Sequence, residues 1–115
     1  MSPGARAETA ALAAELDAVD SGDGDALLKL DERVHRLVWR ASGNPYLTAT
    51  LEGYFALSLR VWYVVLDRVP GLSATVHDQR QLLDALLARD VVLAGGLMRD
   101  HVLAFQREVL VALSR

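Results

Sequence analysis

The sequence predicts an all-α protein, an antiparallel bundle of about five helices that forms a dimer. Three observations predict this fold class. Apolar residues recur at helical spacing, no segment shows the alternation of a half-buried strand, and Gly, Pro and Asp divide the chain into helix-length segments. With 115 residues, of which 52% are apolar and 23% charged, the chain is too hydrophobic for disorder and suits one compact domain. We therefore expect a single domain over residues 1–115.

Turn-forming and capping residues set the expected helix boundaries. The predicted helices span residues 5–19, 26–42, 45–69, 73–88 and 91–113. Either Asp23 or Asp25 can cap the second helix, because a short acidic side chain accepts hydrogen bonds from the free amides of a first turn. Asn44 and Asp90 are expected to cap the third and fifth helices in the same way, with Pro45 in the first turn of the third.

Composition and charge exclude several classes of protein. Twelve basic and fifteen acidic residues give a net charge of −3, which provides no general attraction to DNA. The absence of cysteine excludes disulfides, thiolate zinc sites and cysteine nucleophiles. The longest apolar runs are far shorter than the roughly 18–20 residues that cross a bilayer, and the first 25 residues do not resemble a signal peptide. A cytoplasmic protein without membrane association is expected.

The third predicted helix, which Pro70 and Gly71 terminate, has no polar face. From Tyr54 to Leu66 only Ser58 and Arg60 are polar. A helix that is apolar on all sides is covered on all sides. We therefore expect this helix either at the centre of the bundle or shared with a second subunit.

The last predicted helix carries two apolar stripes. The main stripe comprises Ala94, Leu97, Met98, Phe105 and Ala112, whereas Val92, Leu103 and Leu110 lie on the opposite side. One stripe can pack inside the bundle, and a homodimer is the simplest way to cover the other.

Polar side chains interrupt two apolar faces. Asp31 and His35 lie one turn apart on the core side of the second helix, and His101 lies in the main stripe of the last helix. Burial of an unpartnered carboxylate is costly, so Asp31 requires a partner. Two interpretations remain open. Either Asp31 bonds His35 while His101 is a separate core residue, or all three ligate one buried divalent metal such as zinc, nickel, manganese or iron.

On the fourth predicted helix, Gln79 rather than His77 faces the core. At about 100° per residue, Gln79 projects with the apolar residues of that helix, whereas His77 lies about 160° away on the solvent side. His77 is therefore interpreted as a surface histidine and not as a fourth ligand.

Five segments resemble the C-terminal effector-binding (FCD) domain of FadR-type GntR-family transcription regulators. The segments are DERVH at 31–35, ASGNPYL at 41–47, SLRVWY at 58–63, LLDALLARD at 82–90 and MRDH at 98–101. The resemblance covers about residues 25–112. It implies an antiparallel helical bundle that dimerises and binds small organic acids or related metabolites, often over a metal held by one aspartate and three histidines.

The resemblance assigns the metal ligands residue by residue. The family's aspartate falls on Asp31, its first histidine on His35 and its last on His101, while its middle histidine is replaced by Gln79. An amide oxygen is a weaker, neutral donor with little preference for transition metals. The resemblance thus implies a zinc, nickel or manganese site that is impaired at one corner.

The same resemblance implies a sensor without a DNA-binding head. The family's winged helix-turn-helix and the first helix of its effector domain have no counterpart in this sequence, so specific DNA binding by this chain is not expected. The leading hypothesis is a dimeric, non-enzymatic domain that binds a small carboxylate metabolite, with Arg60 as a candidate anchor for the carboxylate. A structural dimerisation module with a degenerate pocket is the main alternative, and a small metal-dependent enzyme is a third.

Overall fold

The computed structural model describes residues 2–41, 43–65 and 72–114, and this part of the chain is entirely helical apart from its turns. Its helices are α1 (Pro3–Ala18), α2 (Gly24–Ala41), α3 (Pro45–Val65), α4 (Leu72–His77), α5 (Gln79–Leu87) and α6 (Val91–Leu113). They correspond to the five predicted helices, with the fourth divided into α4 and α5. The all-α helical bundle is confirmed. The predicted end of the third helix, at residues 66–71, lies outside the described residues.

The predicted caps form at three helix starts. Asp23 Oδ1 accepts a hydrogen bond of 3.0 Å from the amide of Ala26, so Asp23 rather than Asp25 caps α2. Asn44 Oδ1 accepts from two first-turn amides of α3, each at 3.1 Å. Asp90 Oδ1 accepts from Leu93 N at 3.1 Å at the start of α6. Gly43, with φ of 72°, takes the left-handed conformation that separates α2 from α3.

The division between α4 and α5 occurs at Asp78. This residue keeps helical dihedrals, φ −60° and ψ −21°, and its amide bonds Ala74 O at 2.9 Å. The next turn tightens, because Gln81 N bonds the carbonyl of Asp78 at 3.2 Å with a spacing of three residues. The sequence analysis did not predict this break, since the apolar spacing runs through it.

The core lies among α1, α2, α4 and α5. It includes the almost fully buried side chains of Leu12, Leu16, Leu27, Leu28, Val34, Val76, Leu82 and Leu83. Burying each such side chain contributes about 1.5–3 kcal/mol to folding. An ion pair of 2.9 Å between Arg80 and Asp17 joins α5 to α1 at the surface. This core fixes α2 and α5, the helices that carry three of the polar side chains singled out above.

Helix α3 is not central within one copy of the chain. It packs against α2 and α6, and Trp62 is its one buried apolar side chain among those the structure describes. Tyr54, Leu57 and Val64 are between 56% and 71% exposed. The expectation of a helix covered on all sides within one bundle is therefore wrong, because only one side of α3 meets other helices.

The two predicted stripes of α6 are confirmed. In the main stripe Ala94, Phe105 and Ala112 are buried, and Leu97 and Met98 pack against the core. The opposite stripe of Val92, Leu103 and Leu110 is exposed.

Candidate metal centre

Asp31, His35 and His101 meet in the interior of the bundle. Asp31 and His35 project from adjacent turns of α2, and α6 brings His101 to them; all three side chains are buried. Asp31 Oδ1 lies 2.9 Å from His101 Nε2 and 3.4 Å from His35 Nε2. One ligand atom from each residue lies within 4.8 Å of the others. The grouping predicted from the sequence is therefore present, and the three residues are not separately satisfied.

Gln79 completes this group from the first turn of α5. Its side chain is only 2% exposed, and its amide Nε2 donates to Asp31 Oδ1 at 2.9 Å while lying 2.7 Å from His101 Nε2. His77 is half-buried outside the group, and its Nδ1 lies 2.7 Å from the carbonyl oxygen of Ser73. The helical projection therefore predicted correctly that Gln79 and not His77 faces the group, although His77 is half-buried rather than a surface histidine.

Asp31 is held as a carboxylate. Burial raises the pKa of this side chain, but the imidazoles of His101 and His35 oppose that effect and outweigh it. The net result is a pKa below the ordinary value for aspartate. The centre thus contains a negative charge among two imidazole side chains and one amide.

The hydrogen bonds of this group cannot all be satisfied together. If His101 Nε2 carries a proton and donates to Asp31, that proton opposes the amide hydrogens of Gln79 at 2.7 Å. If His101 Nε2 instead accepts from Gln79, its lone pair faces the carboxylate at 2.9 Å. Among the described residues, no hydrogen-bond partner is found for the buried atoms His101 Nδ1 and Gln79 Oε1, and His35 Nε2 has only the long 3.4 Å contact with Asp31 Oδ1. Unsatisfied buried polar atoms are costly.

A divalent cation would resolve this conflict, and the donor set fits one. Rotating the amide of Gln79 by half a turn exchanges the positions of its oxygen and nitrogen. The centre then offers one carboxylate oxygen, two imidazole nitrogens and one amide oxygen. Such nitrogen and oxygen ligands suit zinc, nickel, manganese or iron.

Aromatic rings orient both histidines. The ring of His35 packs against Phe55 and Trp39, with centroids 4.8 and 5.7 Å away. The ring of His101 meets Phe105 edge to face at 4.4 Å. Sequence analysis missed Phe55, because α3 has no polar face from which the orientation of its side chains could be predicted. The contact of Trp39 with His35 could have been predicted from the sequence, since Trp39 lies four residues, about one helical turn, after His35.

The polar group lies between two cavities. Asp31 and His35 line an apolar cavity of about 540 Å³ between α2, α3 and α6. Gln79 and His101 line a polar cavity of about 460 Å³ between α5 and α6. Arg60, the predicted carboxylate anchor, is exposed on α3 and is not among the described residues that line either cavity. The structure does not bring Arg60 to this group.

Comparison with known protein families agrees with the fold. A model of the FCD domain family matches residues 1–104, which extends further toward the N-terminus than the resemblance at about 25–112 and includes α1. Searches of curated proteins and of solved structures returned no significant match. None of the described helices combines the length and hydropathy needed to cross a membrane. The chain belongs to the FCD domain family, the effector-binding domains of GntR regulators.

Proposed function

We propose that this FCD domain senses a small organic acid that binds over a divalent metal ion held by Asp31, His35 and His101. The observation that carries the proposal is the buried group itself. Its ligand atoms converge within 4.8 Å, while Gln79 Oε1 is buried without a hydrogen-bond partner among the described residues and His35 Nε2 has only a 3.4 Å contact with Asp31 Oδ1. Asp31 and His35 also form part of the wall of a cavity large enough for a small molecule.

The four side chains have different parts in this proposal. Asp31 supplies the negative charge, and the imidazoles of His35 and His101 supply neutral nitrogen donors in orientations fixed by neighbouring rings. Gln79 supplies an amide oxygen, which is a weaker donor than the histidine that the family resemblance places there. A bound divalent ion adds the positive charge that attracts a carboxylate head group.

We also propose that the domain acts as a homodimer through α3 and α6. The chain exposes 6896 Å² of surface, whereas a compact monomer of 12.5 kDa exposes about 6,200 Å². The chain thus exposes somewhat more surface than an average compact monomer of its mass. The large exposed apolar side chains are concentrated on α3 and α6, which supports these helices as the contact surface.

In a dimer, effector binding would act by shifting the population between two arrangements of the subunits. This is a regulatory role and requires no catalytic step. FCD domains are typically regulatory and non-enzymatic. The alternative, a structural dimerisation module with a degenerate pocket, predicts that this group binds no metal ion.

The experiment is a calorimetric titration of metal-free protein with zinc chloride, together with elemental analysis of the purified protein. A single ion per chain is expected, and Asp31→Ala and His101→Ala should each weaken its binding at least tenfold. His77→Ala is the matched control, because His77 lies outside the group, and it should bind like the unmodified protein. A titration without heat and a preparation without metal would favour the structural module instead.

A further inference from the structure

We propose that the apolar cavity selects a monocarboxylic acid with an aromatic or alkyl body, and that it discriminates against dicarboxylates and sugar acids. The inference rests on the proposed function for the placement of the acid head group beside Asp31 and His35. It goes further by assigning the chemistry of the rest of the ligand.

The cavity wall is built mainly of hydrocarbon. Trp39, Phe55, Trp62 and Phe105 supply aromatic surface, and most of the remaining lining is aliphatic. The edge-to-face contact of Trp62 with Phe105, with centroids 4.5 Å apart, makes part of this wall a packed surface of rings. A hydrocarbon ligand gains free energy when it leaves water for such a wall.

Polar groups are few, and they are concentrated at one place. Asp31 and His35 are buried in the wall, while Ser58, Gln106 and Tyr54 with its hydroxyl are exposed. The hydroxyl of Ser58 already bonds the carbonyl of Tyr54 at 3.1 Å. A ligand with one polar end and an apolar body matches this arrangement, whereas a polyhydroxylated acid would leave its hydroxyl groups without partners.

The cavity also offers no compensation for a second negative charge. Neither lysine nor arginine occurs among the described residues of its lining, and Arg60 is exposed outside it. One carboxylate can be neutralised at the metal group. A second carboxylate on the same ligand would lie beside rings and methyl groups without a cation to pair with, or remain in solvent at the open margin and gain nothing from the cavity.

The size of the cavity agrees with a compact ligand. Its volume of about 540 Å³ lies within the usual range of small-molecule sites, about 300–1,000 Å³. A body of two aromatic rings or a medium-length alkyl chain fits such a volume. Val102 on α6 lies at the exposed margin of the cavity. A larger side chain at this position would reduce the volume available to a ligand.

The test is calorimetric titration of the full chain, with zinc bound, using 4-phenylbenzoate, succinate and gluconate as probes. We expect 4-phenylbenzoate to bind at least tenfold more tightly than either of the other two acids. Val102→Trp should weaken 4-phenylbenzoate at least tenfold, because residue 102 lines the cavity. Ala10→Trp is the control, since Ala10 is exposed on α1, away from the proposed dimer helices, and does not line the cavity. Ser58→Arg should raise the affinity for succinate by introducing a cation.

Three results would overturn the inference. In the first, succinate or gluconate binds more tightly than 4-phenylbenzoate, and Arg60→Ala abolishes that binding. The domain would then sense polar acids, so the proposed function would stand and the inferred ligand class would be wrong. Binding of none of the probes would reject the ligand class, and the separate zinc titration would then show whether the metal site fails as well. If Val102→Trp alters the molar mass in light scattering but not the binding of 4-phenylbenzoate, the cavity is covered by a second copy of the chain.

Discussion

Gln79 Nε2 and His101 Nε2 lie 2.7 Å apart, and both compete for the same oxygen of Asp31. Gln79 comes from α5, His101 from α6 and Asp31 from α2, so three helices are joined at this point. Replacing the glutamine changes the donor that faces the other two side chains without changing the backbone that positions it.

Gln79→His should strengthen metal binding. An imidazole nitrogen is a better ligand for zinc or nickel than an amide oxygen, so calorimetry should show at least about tenfold tighter binding, or roughly 1.4 kcal/mol. His77→Ala should change the affinity little, since His77 bonds its own helix. Loss of binding in His77→Ala combined with no effect of Gln79→His would contradict the observed orientation of the two residues.

Zinc should stabilise the folded protein. A ligand that binds only the folded state contributes about 2.7 kcal/mol at a free concentration one hundred times its Kd. Differential scanning calorimetry should therefore show a rise in Tm of several degrees, reversed by a chelator. His101→Ala should lose most of this rise and His77→Ala should retain it. An equal rise in both variants would assign zinc to another site.

The protein should be a dimer in solution. Light scattering at tens of micromolar should give a molar mass near 25 kDa, twice that of the 12.5 kDa chain. Leu57→Asp should shift the equilibrium toward monomer, because it places a charge on the exposed apolar face of α3. Ala14→Asp adds the same charge to the exposed face of α1 and should leave the dimer intact. A monomer for the unmodified chain would contradict the proposed interface.

Duplex DNA should bind only weakly and without sequence preference. The chain carries a net charge of −3, and the FCD match accounts for 104 of its 115 residues. Electrophoretic mobility shifts, if seen at low salt, should disappear at physiological salt. A sequence-selective shift at physiological salt by this chain alone would refute the prediction.

Much of the fold was predictable because its signals are local. The caps at Asn44 and Asp90 depend on side chains that bond amides within three residues, and the helical period alone distinguishes Gln79 from His77. The meeting of Asp31 with His101 is a contact between distant parts of the chain. The sequence pattern indicated only that each faces a core, and the family resemblance was needed to bring them together.

Other features could not be read from local patterns. Helix α3 is apolar in every direction, so its hydrophobic period does not indicate which side chains face the cavity, and Phe55 was missed. Arg60 is the one cation between Tyr54 and Leu66 in the sequence and was therefore predicted to bind the carboxylate. Its side chain is instead exposed to solvent. The break at Asp78 falls within a continuous apolar spacing and Asp78 keeps helical dihedrals, so the helical period did not indicate it.

The two cavities share a thin partition made of Asp31, His35, Gln79 and His101. Asp31 and His35 face the apolar compartment, and the other two face the polar compartment. Gln79 and His101 both contact Asp31, so each residue lining the polar cavity at this point is hydrogen-bonded to a residue lining the apolar cavity. The walls of the two cavities thus share one buried hydrogen-bond network.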